Sequence, residues 1–207
     1  MTVSEALNAR RATPFFDSSQ EISLDEVKAL INQASLSPTS MNLQPYNLLV
    51  VHSAEDKARL VGVAYNQAKI ADASAAVVVV GLTNGHELHA ERVANNNVEL
   101  GYMTEDRKQG WIDRARGGWP TEQKQRDEAF RAGSLWAMSF MLVAQEAGWV
   151  TAPMGGYVEE ALRAEFGLPE TAVPVLIIAI GKPDSSHELK ARGERLPADE
   201  IAHIGNW

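Results

Sequence analysis

The chain contains no cysteine. Disulfides, thiolate metal sites and cysteine nucleophiles are therefore excluded, an oxidising compartment would add nothing to its stability, and a cytoplasmic address is the expectation that follows. Long apolar runs are missing too. The longest, Ala75 to Leu82, falls far short of the roughly 20 residues that a membrane-spanning helix needs. The first residues, Met-Thr-Val-Ser-Glu-Ala-Leu-Asn-Ala-Arg-Arg, place an acid ahead of the basic pair and lack the apolar centre of a signal peptide. No G-x-G-x-x-G follows a strand pattern, and neither a P-loop nor the G-x-S-x-G of serine hydrolases occurs. The five histidines, at 52, 86, 89, 187 and 203, lack partners at a metal-ligand spacing, so no metal is expected. Positive charge is also in deficit. With 19 Lys and Arg against 27 Asp and Glu, the net charge of −8 opposes nonspecific association with nucleic acid or anionic lipid. Any phosphate ligand must be held by local cations.

What is present suits one globular domain spanning 1–207, since 45% of the residues are hydrophobic and five are Trp. Residues 3–11 read as a short helix. Ser23-Leu24-Asp25-Glu26 is a capping box that opens a second, with Val27, Leu30, Ile31 and Ala34 as its apolar stripe and Pro38 beyond its end. Residues 47–52 read as a strand, Ser53 and Asp56 open a third helix, and 75–82 reads as a strand buried on both faces because no polar residue alternates in it. Residues 84–128 are polar and suggest helices and loops at the surface. A central helix is expected over 131–148, then a loop at 152–156, a helix over about 158–166 and a second central strand over 173–180. The polar tail, 184–207, ends in Ile204-Gly205-Asn206-Trp207, an apolar end that calls for a partner surface.

The richest stretch is Ser-Pro-Thr-Ser-Met-Asn-Leu-Gln-Pro-Tyr at 37–46. Pro38 and Pro45 stiffen it, while Thr39, Ser40, Asn42 and Gln44 present hydroxyl and amide groups suited to a polar heterocycle. With Arg10-Arg11 before it and Asn66-x-x-Lys69, Ala-Pro-Met-Gly-Gly at 152–156 and Arg192 to Pro197 after it, the ordered set resembles the FMN-dependent nitroreductase family over nearly the whole chain.

The resemblance implies an α+β fold: a central, mostly antiparallel sheet flanked by helices, in an intertwined homodimer whose C-terminal segments are exchanged. It implies FMN as cofactor, NADH or NADPH as co-substrate, and hydride transfer through flavin N5 to nitroaromatics, quinones or similar acceptors by a ping-pong route. Arg10 and Arg195 match its phosphate ligands, with Arg11, Ala12 and Arg192 beside them. Asn66 and Lys69 match residues at the pyrimidine edge, where Lys69 gives electrostatic support, and their spacing would let them share one helical face. Pro153, Met154, Gly155 and Gly156 match the loop against N5. Pro38, Thr39, Ser40, Asn42 and Gln44 would reach the flavin from the second subunit. Trp111 or Trp119 would cover the ring and meet the substrate, or else serve in packing. Pro14 and Gly193 stand where many members carry a basic residue. A flavin-storing or flavin-sensing protein with little turnover is the alternative reading.

Overall fold

The computed structural model describes all residues, 1–207. Its centre is β2 (Ala75–Leu82), eight residues without a polar side chain and buried throughout. Such a strand needs apolar cover on both faces. It pairs antiparallel with β1 (Tyr46–Val51) on one side and with β4 (Ala172–Gly181) on the other, and β4 pairs antiparallel with the edge strand β3 (Val150–Met154). The sheet order is β1-β2-β4-β3.

Alternation along β2 divides the core in two. Ala75, Val77 and Val79 face α2 (Leu24–Ala34) and α7 (Glu122–Glu146), where Val27, Leu30, Trp136 and Phe140 are buried. The Trp136 and Phe140 rings stack at 5.0 Å. Ala76, Val78 and Val80 face the other way, onto Leu60 of α3 (Ala54–Val63), Ile70 of α4 (Ala68–Asp72) and Leu162 of α8 (Glu159–Phe166). Fully burying a side chain of this kind contributes about 1.5–3 kcal/mol, so the two layers supply most of the driving force. Helix α7 lies so close to β2 that a Cβ on Gly81 would come within 2.8–3.0 Å of Ala129, including its backbone.

The capping boxes start helices as the pattern requires. Ser23 and Glu26 exchange bonds at the head of α2, and Thr2 and Glu5 do the same for α1 (Val3–Ala9). Three expectations need correction. The 84–128 region is not merely surface: α5 (Gly85–Glu99) and α6 (Glu105–Gly117) enclose a third buried cluster with Leu43, Val93 and Ile112. The central helix begins at Glu122, capped by the Thr121 hydroxyl, because its polar first turns need no core. Residues 150–154 form a strand rather than a loop, and Pro153 is tolerated because β3 has a neighbour on one side only.

From Ser185 onward every residue is exposed, including the short α9 (Ala198–Ile201), Ile204 and Trp207. No helix is long and apolar enough to cross a membrane, and no group of three His, Asp or Glu side chains is placed to hold a metal ion.

Candidate functional site

Helix α1 ends at Arg10, and the chain then crosses the start of β3. Ala12 bridges Thr151, and the Thr13 N–H donates to the Thr151 carbonyl at 3.0 Å. Here the tail returns. Arg192 Nη2 donates to the carbonyls of Asn8 and Arg10, 2.8 Å each, and of Leu7 at 3.5 Å, while Arg11 Nη2 donates to the Lys190 carbonyl at 2.7 Å. Arg192 thus caps the negative end of α1. Burial first, then the fields of Arg192 and Arg195, push the Arg10 guanidinium below its ordinary value. None of the chain's ion pairs involves these three arginines. Arg10 Nε is buried without a partner, as are the hydroxyls of Thr13 and Thr151. A group of cations with an orphaned buried donor is short of an anion.

At the other end of β3 lie Gly155 and Gly156. A Cβ at Gly155 would meet nothing within 4 Å, whereas one at Gly156 would touch Gln67 and the Tyr65 ring. Gln67 Nε2 donates to the Gly156 carbonyl at 2.8 Å, and the Val158 N–H donates to the Val63 carbonyl at 2.9 Å, so the turn between α3 and α4 is stitched to this segment. Asn66 and Lys69 are there as expected, but not on one helical face. Asn66 sits at φ 53 in the turn, after Tyr65 at φ 52, and only Lys69 lies in α4. Two successive non-glycine residues in the left-handed region store strain, a feature concentrated at functional sites. Tyr65, two-thirds exposed, and Gln67 belong to this end of the site and carried no sequence signal. Lys69 is half-buried and has no carboxylate partner. From Thr151 to Gly155 the strand covers about 13 Å, which is the distance that separates the arginine end from the glycine end.

The 37–46 loop is rigid. Met41, Asn42 and Gln44 have φ of 52, 56 and 45, held by bonds from the Gln44 N–H to Thr39 Oγ1 (2.9 Å) and from Gln44 Nε2 to the Asn42 carbonyl (3.1 Å). The His89 ring contacts the Leu43 carbonyl at 2.7 Å, and Ser37 Oγ reaches Ser139 Oγ at 2.6 Å. Asn42 and Gln44 open onto a cleft of about 890 Å³ against α5, lined also by Asn47, His89, Arg92 and Asn96. Its size suits a small-molecule ligand. Trp111 and Trp119 are partly buried against the third cluster alongside Met41, which is a packing position behind this loop.

One chain does not bring the two parts together. The loop enters β1 level with Gly81 and Val173, whereas β3 ends at Met154 opposite Ile177, level with Val78 and Leu49 in mid-sheet. They occupy opposite edges, three strand spacings or about 14 Å apart across the sheet, and are offset by roughly a further 10–13 Å along the strands.

The sequence profile of the nitroreductase family matches residues 7–182. The chain belongs to the nitroreductase family. It is 35% identical over 203 residues to YodC of Bacillus subtilis, provisionally named an NAD(P)H nitroreductase, with 96% of each chain covered. It is 27% identical to the oxygen-insensitive NAD(P)H nitroreductase of Salmonella typhimurium, over 96% of this chain and 94% of the relative. Among solved structures, a provisionally named nitroreductase of Exiguobacterium sibiricum in complex with FMN superimposes with a TM-score of 0.88 at 29% identity, covering 98% of this chain and 97% of the other. The α+β architecture implied by the sequence is the nitroreductase fold, with its sheet wholly antiparallel here. The family match stops at Lys182, so the tail carrying Arg192 and Arg195 lies beyond it.

Proposed function

We propose that this chain is an FMN-dependent oxidoreductase that moves hydride from NADH or NADPH to nitroaromatics, quinones or related acceptors, and that it works as a cytoplasmic homodimer. The observation that carries the reading is the placement of an unneutralised arginine group at one end of β3 and of Gly155 and Gly156, with Asn66 and Lys69, at the other. The residues fit the cofactor at both extremities. Arg10 and Arg195 hold the phosphate through charge-assisted hydrogen bonds, with Arg11 and Ala12 alongside. Gly155 and Gly156 let backbone donors approach a flat ring with no Cβ between, while Pro153 and Met154 in β3 fix where that backbone lies. Lys69 and Asn66 supply a preorganised field at the edge where negative charge develops on reduction. When bound, FMN accepts and donates hydride at its N5 atom.

The second subunit's Pro38, Thr39, Ser40, Asn42 and Gln44 complete the site, which accounts for a rigid polar loop facing a cleft on the sheet edge remote from Gly155. The exposed apolar residues of the tail, ending at Ile204 and Trp207, then find cover on that subunit. Donor and acceptor occupy one place in turn, which gives ping-pong kinetics, and Trp111 or Trp119 borders that place. The names of the relatives support the reading: one structure holds FMN, and others are called NAD(P)H nitroreductases.

The purified protein should be yellow, or become so with added FMN. Its flavin band, at about 450 nm, should bleach rapidly on mixing with NADPH or NADH in stopped flow. A yellow protein inert to both nucleotides is a flavin store or sensor, and a colourless monomer that ignores saturating FMN ends the proposal altogether.

A further inference from the structure

The root of the C-terminal tail is fastened in an unusual way. No residue from 185 to 207 is buried, and what ties residues 190–195 to the body is a few side-chain bonds: Arg11 to the Lys190 carbonyl, and Arg192 to the carbonyls of Leu7, Asn8 and Arg10. Arg195 spends its Nη1 only on the neighbouring carbonyls of Gly193 and Glu194. Seating the tail brings the Arg192 and Arg195 charges onto Arg10, whose Nε is buried and unpartnered in the seated state. Helix capping by Arg192 fixes where the tail lands, but mutual repulsion of the guanidinium groups opposes the landing. An anion bound among them reverses the sign of that repulsion.

We infer that the cofactor's terminal phosphate, rather than its ring, fastens residues 190–195 of the tail to α1, so that loading the cofactor sets the arm that follows. This rests on the reading of the arginine group as the phosphate site. The seated and released tails are two states, and the phosphate, which needs Arg10 and Arg195 together, binds the seated one. By linkage it must then stabilise that state. Arg192 is a positioning residue in this scheme: it holds the tail against α1, and the charge of Arg195 comes into range with it.

Trypsin reports the tail directly, because it cuts after Lys190, Arg192 and Arg195 when they are released. The full-length protein is digested without ligand, with saturating FMN and with saturating riboflavin, which lacks the phosphate; mass spectrometry follows the three cuts, and quenching of flavin fluorescence confirms occupancy. FMN should slow them roughly tenfold or more, the effect of one charge-assisted hydrogen bond, and riboflavin should leave the ligand-free rate unchanged. Equal protection by the two flavins, or no protection by FMN that is bound, overturns the inference. If FMN does not bind at all, the parent reading of the site fails as well. Arg192→Gln, which removes the tail's bonds to α1, should weaken FMN by the factor by which it depopulates the seated tail and leave riboflavin affinity unchanged, while Arg192→Lys should recover part of the loss. Unchanged FMN affinity in the Gln variant also overturns the scheme, and if that variant does not fold, the comparison of flavins on the unaltered protein still decides.

Discussion

Replacing Arg10 with Met separates binding from stability, because the structure gives the two effects opposite signs. The long apolar stem is kept, and the Arg10 carbonyl that accepts from Arg192 is unaffected. What is lost is a guanidinium whose Nε is buried without a partner and whose charge is opposed by burial and by Arg192 and Arg195. An unsatisfied buried polar group costs about 1–3 kcal/mol, so its removal should leave the ligand-free protein as stable as before or raise its melting temperature, at roughly 2–4 °C per kcal/mol for a chain of this size. FMN, by contrast, loses hydrogen bonds to a charged donor, about 1.5–3 kcal/mol, or a roughly ten- to hundredfold weaker Kd. Scanning fluorimetry of the ligand-free protein and a fluorescence titration with FMN measure both. A melting temperature lower by several degrees with FMN affinity unchanged would refute the argument and make Arg10 an ordinary structural residue.

Two glycines make a paired test. Gly155→Ala meets nothing within its own chain and should leave the melting temperature unchanged while weakening FMN, whereas Gly81→Ala collides with Ala129 and should destabilise by about 1–3 kcal/mol in urea unfolding. An unchanged flavin Kd in the first, or an unchanged urea midpoint in the second, contradicts the assigned environments. Lys69→Met should lower the flavin midpoint potential and slow reduction by nicotinamide; a potential equal to that of the unaltered protein removes Lys69 from the ring edge. The Tyr157 hydroxyl, pushed up to about 12 chiefly by burial, donates to the Pro174 carbonyl at 2.7 Å. A folded value above the ordinary 10.0 means stability intact below pH 10 and lost as pH rises toward 12. Tyr157→Phe should therefore lose about 1 kcal/mol at neutral pH and show a flatter decline across that alkaline window in melting curves. The serine-held carboxylates of Asp17, Glu26, Asp56 and Asp184 lie below their ordinary values, so their stabilisation is present above pH 4–5 and fades as acid titrates them, which acid melting curves should register.

Where local chemistry decides structure, the sequence was legible. Ser23 and Glu26 announced α2, and the unbroken apolar run at 75–82 announced a strand covered on both faces, because these patterns act on their own neighbours. β3 is illegible in the sequence since Pro153 argues against a strand unless the strand lies on an edge, and edge position is a property of the whole sheet. The spacing of Asn66 and Lys69 suggests a shared helical face because no glycine marks the left-handed turn at Tyr65 and Asn66; the packing of Gln67 on Gly156 holds that turn instead. The sequence marks Arg192 as a cation near the site, but its bonds to Asn8 and Arg10 join opposite ends of the chain, and nothing near it in sequence foretells them. The polar loop at 37–46 was read from composition, and its stiffness came from bonds that composition does not reveal.

That β1 and β3 close the sheet on opposite margins has a genetic corollary. If each centre draws its loop from one copy and its arginines and glycines from the other, a variant crippled at Asn42 and a variant crippled at Arg10 are defective in complementary halves. Each is dead alone. Refolded together in equal amounts, they form mixed pairs in half of the assemblies, each with one intact centre and one doubly damaged, so about a quarter of the full activity returns.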